Sequence, residues 1–104
     1  SICMELILVA EEVMANIVNH AQLDREAAIE VSIETASGQI TIDFSYPGIA
    51  FNPFVEAHRA PLGADIESAE IGGLGVHLIT QLTDWQDYRR VDGQNVLTVK
   101  KNIT

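Results

Sequence analysis

A two-layer α+β fold, with helices on one face of a mostly antiparallel sheet, follows from three features of the chain. Residues 6–21 repeat apolar side chains at helical spacing. Two pairs of alternating segments are each joined by a short glycine-bearing turn, and glycines at 72, 73 and 75 lead into a second helical repeat. The element order is helix, strand, strand, long loop, helix, strand, strand, with no internal repeat or low-complexity segment. A single domain over residues 1–104 is expected, because 47% hydrophobic content supplies a modest core and no break in composition marks a second.

The first helix reads LILVAEEVMANIVNHA, from Leu6 to Ala21. Leu6, Ile7, Ala10, Val13, Met14, Ile17 and Val18 cover one side and are expected to face the core. At about 100° per residue, Glu5, Glu12, Asn16 and Asn19 fall within an arc of roughly 60° on the other. Glu12 and Asn16 stand one turn apart, where a carboxylate can take a proton and a carboxamide oxygen can ligate a hard cation. His20 follows one turn on. Glu and Asn on a helix equally suit a solvated face, so this stripe gains meaning only with a second motif.

After a polar connection at Gln22–Glu26, Ala28 to Thr35 alternates Ile29, Val31 and Ile33 with Glu30, Ser32 and Glu34. Gln39 to Tyr46 alternates Ile40, Ile42, Phe44 and Tyr46 with Thr41, Asp43 and Ser45, and Ala36, Ser37 and Gly38 make the turn. Each strand is expected to have one wet and one buried face. From Pro47 to Ile71 the periodicity is lost, which predicts a long loop with at most a short helix, and such loops often serve as lids over ligands. In IGGLGVHLITQL the glycines precede Val76, Ile79 and Leu82, placing bare backbone amides at a helix N-terminus. Those amides and the positive end of the helix dipole suit an anion, usually phosphate, although such a turn also serves simply to pack a helix close to a sheet. Trp85 to Val91 and Val96 to Ile103, joined by Asp92, Gly93, Gln94 and Asn95, form the closing hairpin.

Fifteen acidic against six basic residues give a formal charge of −9, which repels a nucleic-acid backbone and an anionic membrane alike. Cys3 is the lone cysteine, so an internal disulfide and a thiolate zinc cluster are excluded and a reducing cytoplasm fits. The N-terminal apolar run has no basic flank, and Glu5, Glu11 and Glu12 interrupt it, so neither a signal peptide nor a membrane anchor is expected. The histidines at 20, 58 and 77 are too scattered to suggest a metal cluster. Trp85, Tyr88, Phe51 and Phe54 read as core or interface residues, and Lys100 and Lys101 as solvated.

Taken together, EEVMANIVNHA, PGIAFNP, IGGLGVHLI and DGQNVLTVKK, in that order and covering nearly the whole chain, resemble the anti-sigma-factor serine kinases of the GHKL ATPase superfamily. The resemblance implies the ATP-binding fold of that superfamily, a cytoplasmic bacterial regulator, and an upstream strand and helix that the family would supply. It implies ATP and magnesium as cofactors, a sigma factor and a STAS-type anti-anti-sigma protein as partners, and a possible homodimer. Glu12 matches the glutamate that takes the proton from the partner's serine, Asn16 the magnesium-holding asparagine, and His20 the residue closing that box. Gly72, Gly73, Leu74 and Gly75 match the second glycine box around the phosphates. Thr98 matches, more weakly, a threonine that helps hold adenine through water.

The first glycine box departs from the family pattern. There the family carries Asp-x-Gly, its aspartate accepting the adenine amino group; anchoring on Gly48 and the following FNP places Tyr46 at that position. Asp43 lies an odd number of residues away and points to the other sheet face. Loss of a charged acceptor costs the adenine about 1.5–3 kcal/mol. His58 and Arg59 are the lid's only candidate cations toward a γ-phosphate. Two functions therefore stand: an anti-sigma serine kinase, or a non-catalytic binding module that keeps the fold and binds nucleotide weakly or not at all. The ATPase half of a histidine kinase matches less well, because the FNP-to-GGLG arrangement and the DGQNVL ending follow the serine-kinase branch.

Overall fold

Ser1 starts the first helix earlier than the apolar repeat predicts. Its hydroxyl accepts from the Met4 amide at 3.3 Å, satisfying one orphan donor of the first turn, and α1 runs Ile2–His20 with Ala21 as its C-cap. The computed structural model describes residues 1–58 and 75–103. Its remaining elements are β1 (Glu30–Ala36), β2 (Gln39–Tyr46), α2 (Pro53–His58), α3 (Gly75–Leu82), β3 (Trp85–Val91) and β4 (Gln94–Asn102). The short α2 lies in the predicted long loop, whose residues 59–71 fall outside the described part.

The four strands pair antiparallel in the order β1-β2-β4-β3. Both hairpins turn on two left-handed residues, Ser37 and Gly38 (φ 53° and 73°) and Asp92 and Gly93 (φ 49° and 78°). This conformation matches the twist of the flanking strands and is least costly for Gly, Asp and small polar residues. In the central β2–β4 ladder Ile42 faces Val99, Phe44 faces Leu97 and Tyr46 faces Asn95. These inward residues meet Val9, Val13, Ile17 and Ala21 of the first helix and its cap, Phe51 of the loop and Ile79 of α3. Burial of such side chains stabilises by about 1.5–3 kcal/mol each, so this two-layer contact is the main support of the fold. Among the described residues, no helix is long and apolar enough to cross a membrane.

Three expectations need correction. All of β1 is exposed, with Ile33 at 67%, because β1 is the sheet edge and the core helices cover β2 and β4. Val31 and Ile33 do share a face with Phe44 and Ile42, as alternation requires, but nothing among the described residues covers them. The buried face of α1 is rotated toward its polar stripe: Ile7 and Val18 are exposed, while Val9 and Asn16 are buried. Finally, Lys101 is not solvated. It lies on the helix-facing side, its side chain 15% exposed, paired with Glu5 at 3.2 Å and donating to the Leu82 carbonyl at the end of α3 at 2.8 Å. Lys100 lies on the outer face with its ammonium 4.7 Å from the centre of the Trp85 ring.

Candidate functional site

The rotation of α1 brings its polar stripe against the start of α3. A methyl group built on Gly75 would stand 2.5 Å from Oε2 of Glu12 and 3.6 Å from Nδ2 of Asn16. Only a glycine lets the carboxylate approach this closely with its present rotamer. The first turn of α3 carries no acidic residue, so Glu12 supplies the negative charge at the positive end of its dipole.

Asn16 is 4% exposed, and its Nδ2 has no hydrogen-bond partner among the described residues; the same holds for Nε2 of His20. An unpaired buried donor costs about 1–3 kcal/mol, so the Asn16 amide, with a second unpaired ring nitrogen one turn on, argues for a ligand rather than for stability. The His20 ring itself is held by Phe51, at 5.4 Å between ring centres. A carboxylate, a carboxamide whose donor is unpaired among the described residues, and a helix N-terminus thus meet at one place. This set can take a proton, ligate a cation through Oδ1, and seat an anion.

The corner after β2 is built differently. Gly48 has φ 96°, and a Cβ there would stand 2.3 Å from the Ala21 carbonyl oxygen, so the turn lies directly on the end of α1. The Ile49 amide donates to that same carbonyl at 3.1 Å. Tyr46 is fully buried, and its hydroxyl donates to the Phe51 carbonyl at 3.0 Å. Burial, reinforced by the neighbouring Tyr88, pushes the Tyr46 phenol well above its usual pKa, so it remains a neutral donor.

Opposite Tyr46 lies Asn95, a residue the sequence reading placed only in a turn. Its Nδ2 donates to the carbonyls of Tyr46, Pro47 and Ile49 at 3.2, 3.2 and 3.0 Å. Its Oδ1 accepts from the Phe51 amide at 3.0 Å and from the Tyr88 hydroxyl. Arg90 adds a bond to the Gly48 carbonyl at 3.1 Å. The alternation of β4 holds the missed signal: Asn95 shares a face with the buried Leu97 and Val99, and a polar side chain at a core position needs partners.

The other candidates divide. Thr98 lies on the opposite sheet face from Tyr46 and Asn95, where its hydroxyl donates to Asp43, so the structure does not bring it to Glu12 and Asn16. The same contact places Asp43 on the outer face, the side its odd offset from Tyr46 indicates. Gly72, Gly73, Leu74 and Arg59 lie outside the described residues, and His58 closes α2.

Comparison with known proteins agrees with this architecture. The histidine kinase-like ATPase domain profile matches residues 2–101. Serine/threonine-protein kinase BtrW of Bordetella bronchiseptica is 32% identical over 95 residues, which make up 90% of this chain. The chain spans 66% of that protein's length. Helices on one face of a four-stranded antiparallel sheet, and a match over nearly every residue, lead to one conclusion: the chain belongs to the histidine kinase-like ATPase domain family.

Proposed function

We propose that this domain is the catalytic unit of an anti-sigma regulator resembling serine kinases, which sequesters a sigma factor and phosphorylates a serine on an anti-anti-sigma partner of STAS type. The observation that carries this reading is the meeting of Glu12 and Asn16 with Gly75 at the start of α3. The phosphate end of ATP with magnesium fits that meeting point. Among the described residues the Asn16 Nδ2 is unpaired and would donate to a phosphate oxygen while Oδ1 ligates the metal, and a side chain at position 75 would run into the Glu12 carboxylate. Magnesium there would neutralise triphosphate charge.

In the transfer, the partner's serine oxygen bonds the γ-phosphorus, the bond to the ADP oxygen breaks, and a carboxylate oxygen of Glu12 takes the serine proton. Positioning and charge neutralisation dominate such a reaction, so a base, a metal ligand and an amide cradle suffice. The 32% identity to a protein named as a serine/threonine kinase supports the same reading. A general base contributes about 10²- to 10⁴-fold. Glu12→Gln should therefore lower phosphorylation of the partner by at least the lower figure while ATP affinity stays nearly unchanged; equal loss of both would remove Glu12 from the role of base.

A second reading is favoured by one observation. Tyr46 fills the position expected for the adenine acceptor and is fully buried, which suits a non-catalytic binding module that keeps the fold for its partners. Calorimetry showing no saturable heat at millimolar ATP and magnesium would favour it.

A further inference from the structure

We infer that the site takes a triphosphate without reading the base attached to it. The inference rests on the kinase reading of the phosphate end and concerns the class of phosphoryl donor. The two halves of the site differ in what they leave open. Beside the start of α3 the buried Asn16 amide donor is unpaired among the described residues, and Gly75 lets the Glu12 carboxylate lie against the helix start. At the β2 corner the polar groups pair among themselves. The Tyr46 hydroxyl is spent on the Phe51 carbonyl, and Asn95 uses both ends of its amide on residues 46–51 and Tyr88.

The resemblance that aligns Tyr46 with the adenine acceptor puts the adenine amino group at this corner, where it would need an acceptor. The oxygen of Tyr46 is enclosed, its proton is not lost at working pH, and Asn95 Oδ1 already accepts twice. Admitting a base to this corner would break several of these bonds, each worth about 1 kcal/mol net, with no charged acceptor gained in return. The residues present therefore fit a magnesium triphosphate and do not fit an adenine held through its amino group. Selectivity among nucleotides has no remaining source in these groups.

The test is calorimetric titration of the whole chain with ATP, GTP and inorganic tripolyphosphate, each with magnesium. The expected result is binding of all three with dissociation constants within about threefold of one another. An ATP preference of about tenfold or more over both other ligands would overturn the inference while leaving the kinase reading intact. Failure of all three to bind would overturn both. In Tyr46→Asp, checked for folding by thermal melting, an ATP preference of about tenfold should appear; a folded variant with no preference would show that position 46 does not face the base and would also overturn the inference.

Discussion

Replacing Asn95 with alanine should be among the most damaging single changes in the molecule. Asn95 is fully buried, and its amide serves three carbonyls, one backbone amide and one hydroxyl. Its two Nδ2 hydrogens are shared among three carbonyls, so about four full bonds are at stake. At about 1 kcal/mol net for each, with a surcharge for partners left buried, the loss comes to about 3–5 kcal/mol. A domain of this size is stable by about 5–15 kcal/mol, so a third or more of the total disappears. Urea titration followed by far-ultraviolet circular dichroism should show the midpoint falling with little change in slope, because a local network is removed while the exposed area on unfolding stays similar. Asn95→Asp sharpens the test: it keeps both acceptor contacts and turns the donor end into an anion aimed at three carbonyls, so at neutral pH it should be at least as unstable as the alanine variant. Asn102→Ala, which removes one exposed bond from Gln39, serves as the control and should cost under about 1 kcal/mol. An Asn95→Ala protein within about 1 kcal/mol of the parent would refute the claim that this side chain holds the β2 corner shut.

Two further outcomes are expected. Gly75→Ala should leave stability within about 1 kcal/mol of the parent, since alanine's better helix propensity is offset by moving the Glu12 carboxylate off the helix start. The same variant should lose phosphoryl transfer by about tenfold or more, because the displaced carboxylate is the proposed base; full activity would detach Glu12 from the chemistry. Tyr46 sets an alkaline limit. Its folded pKa is raised above the ordinary value of 10.0, so its contribution is intact below pH 10 and is lost as the pH rises toward the folded value. Urea midpoints should fall above pH 10, less steeply in Tyr46→Phe; parallel curves for the two proteins would contradict that assignment.

What could be read in advance follows from which physical rule governed each residue. The β2 boundaries at Gln39 and Tyr46, and the Ser37–Gly38 and Asp92–Gly93 turns, were legible because alternation and left-handed backbone are local properties. The exposure of Val31 and Ile33 was not, because alternation assigns a face without saying whether anything covers it. Lys101 looked like a solvated terminal lysine; its partners Glu5 and Leu82 lie far away in sequence. At the site, the spacing of Glu12 and Asn16 showed that they share a helix face, and the glycine run showed where a helix begins. Their meeting is a tertiary fact, produced by the rotation of α1 that buries Val9 and leaves Val18 exposed. Tyr46 stood out in sequence as a departure from a pattern, whereas the Asn95 network that accompanies it depends on cross-strand register.

The meeting of the α1 polar stripe with the start of α3 makes Asn16 a residue kept for a ligand at the expense of stability. Asn16→Leu, similar in size and without the orphaned donor, separates the two roles in paired measurements of urea stability and of triphosphate binding with magnesium. The expected result is a protein about 1 kcal/mol or more stabler than the parent that no longer binds the triphosphate. A variant that loses stability, or that binds the magnesium triphosphate as tightly as the parent, would contradict it.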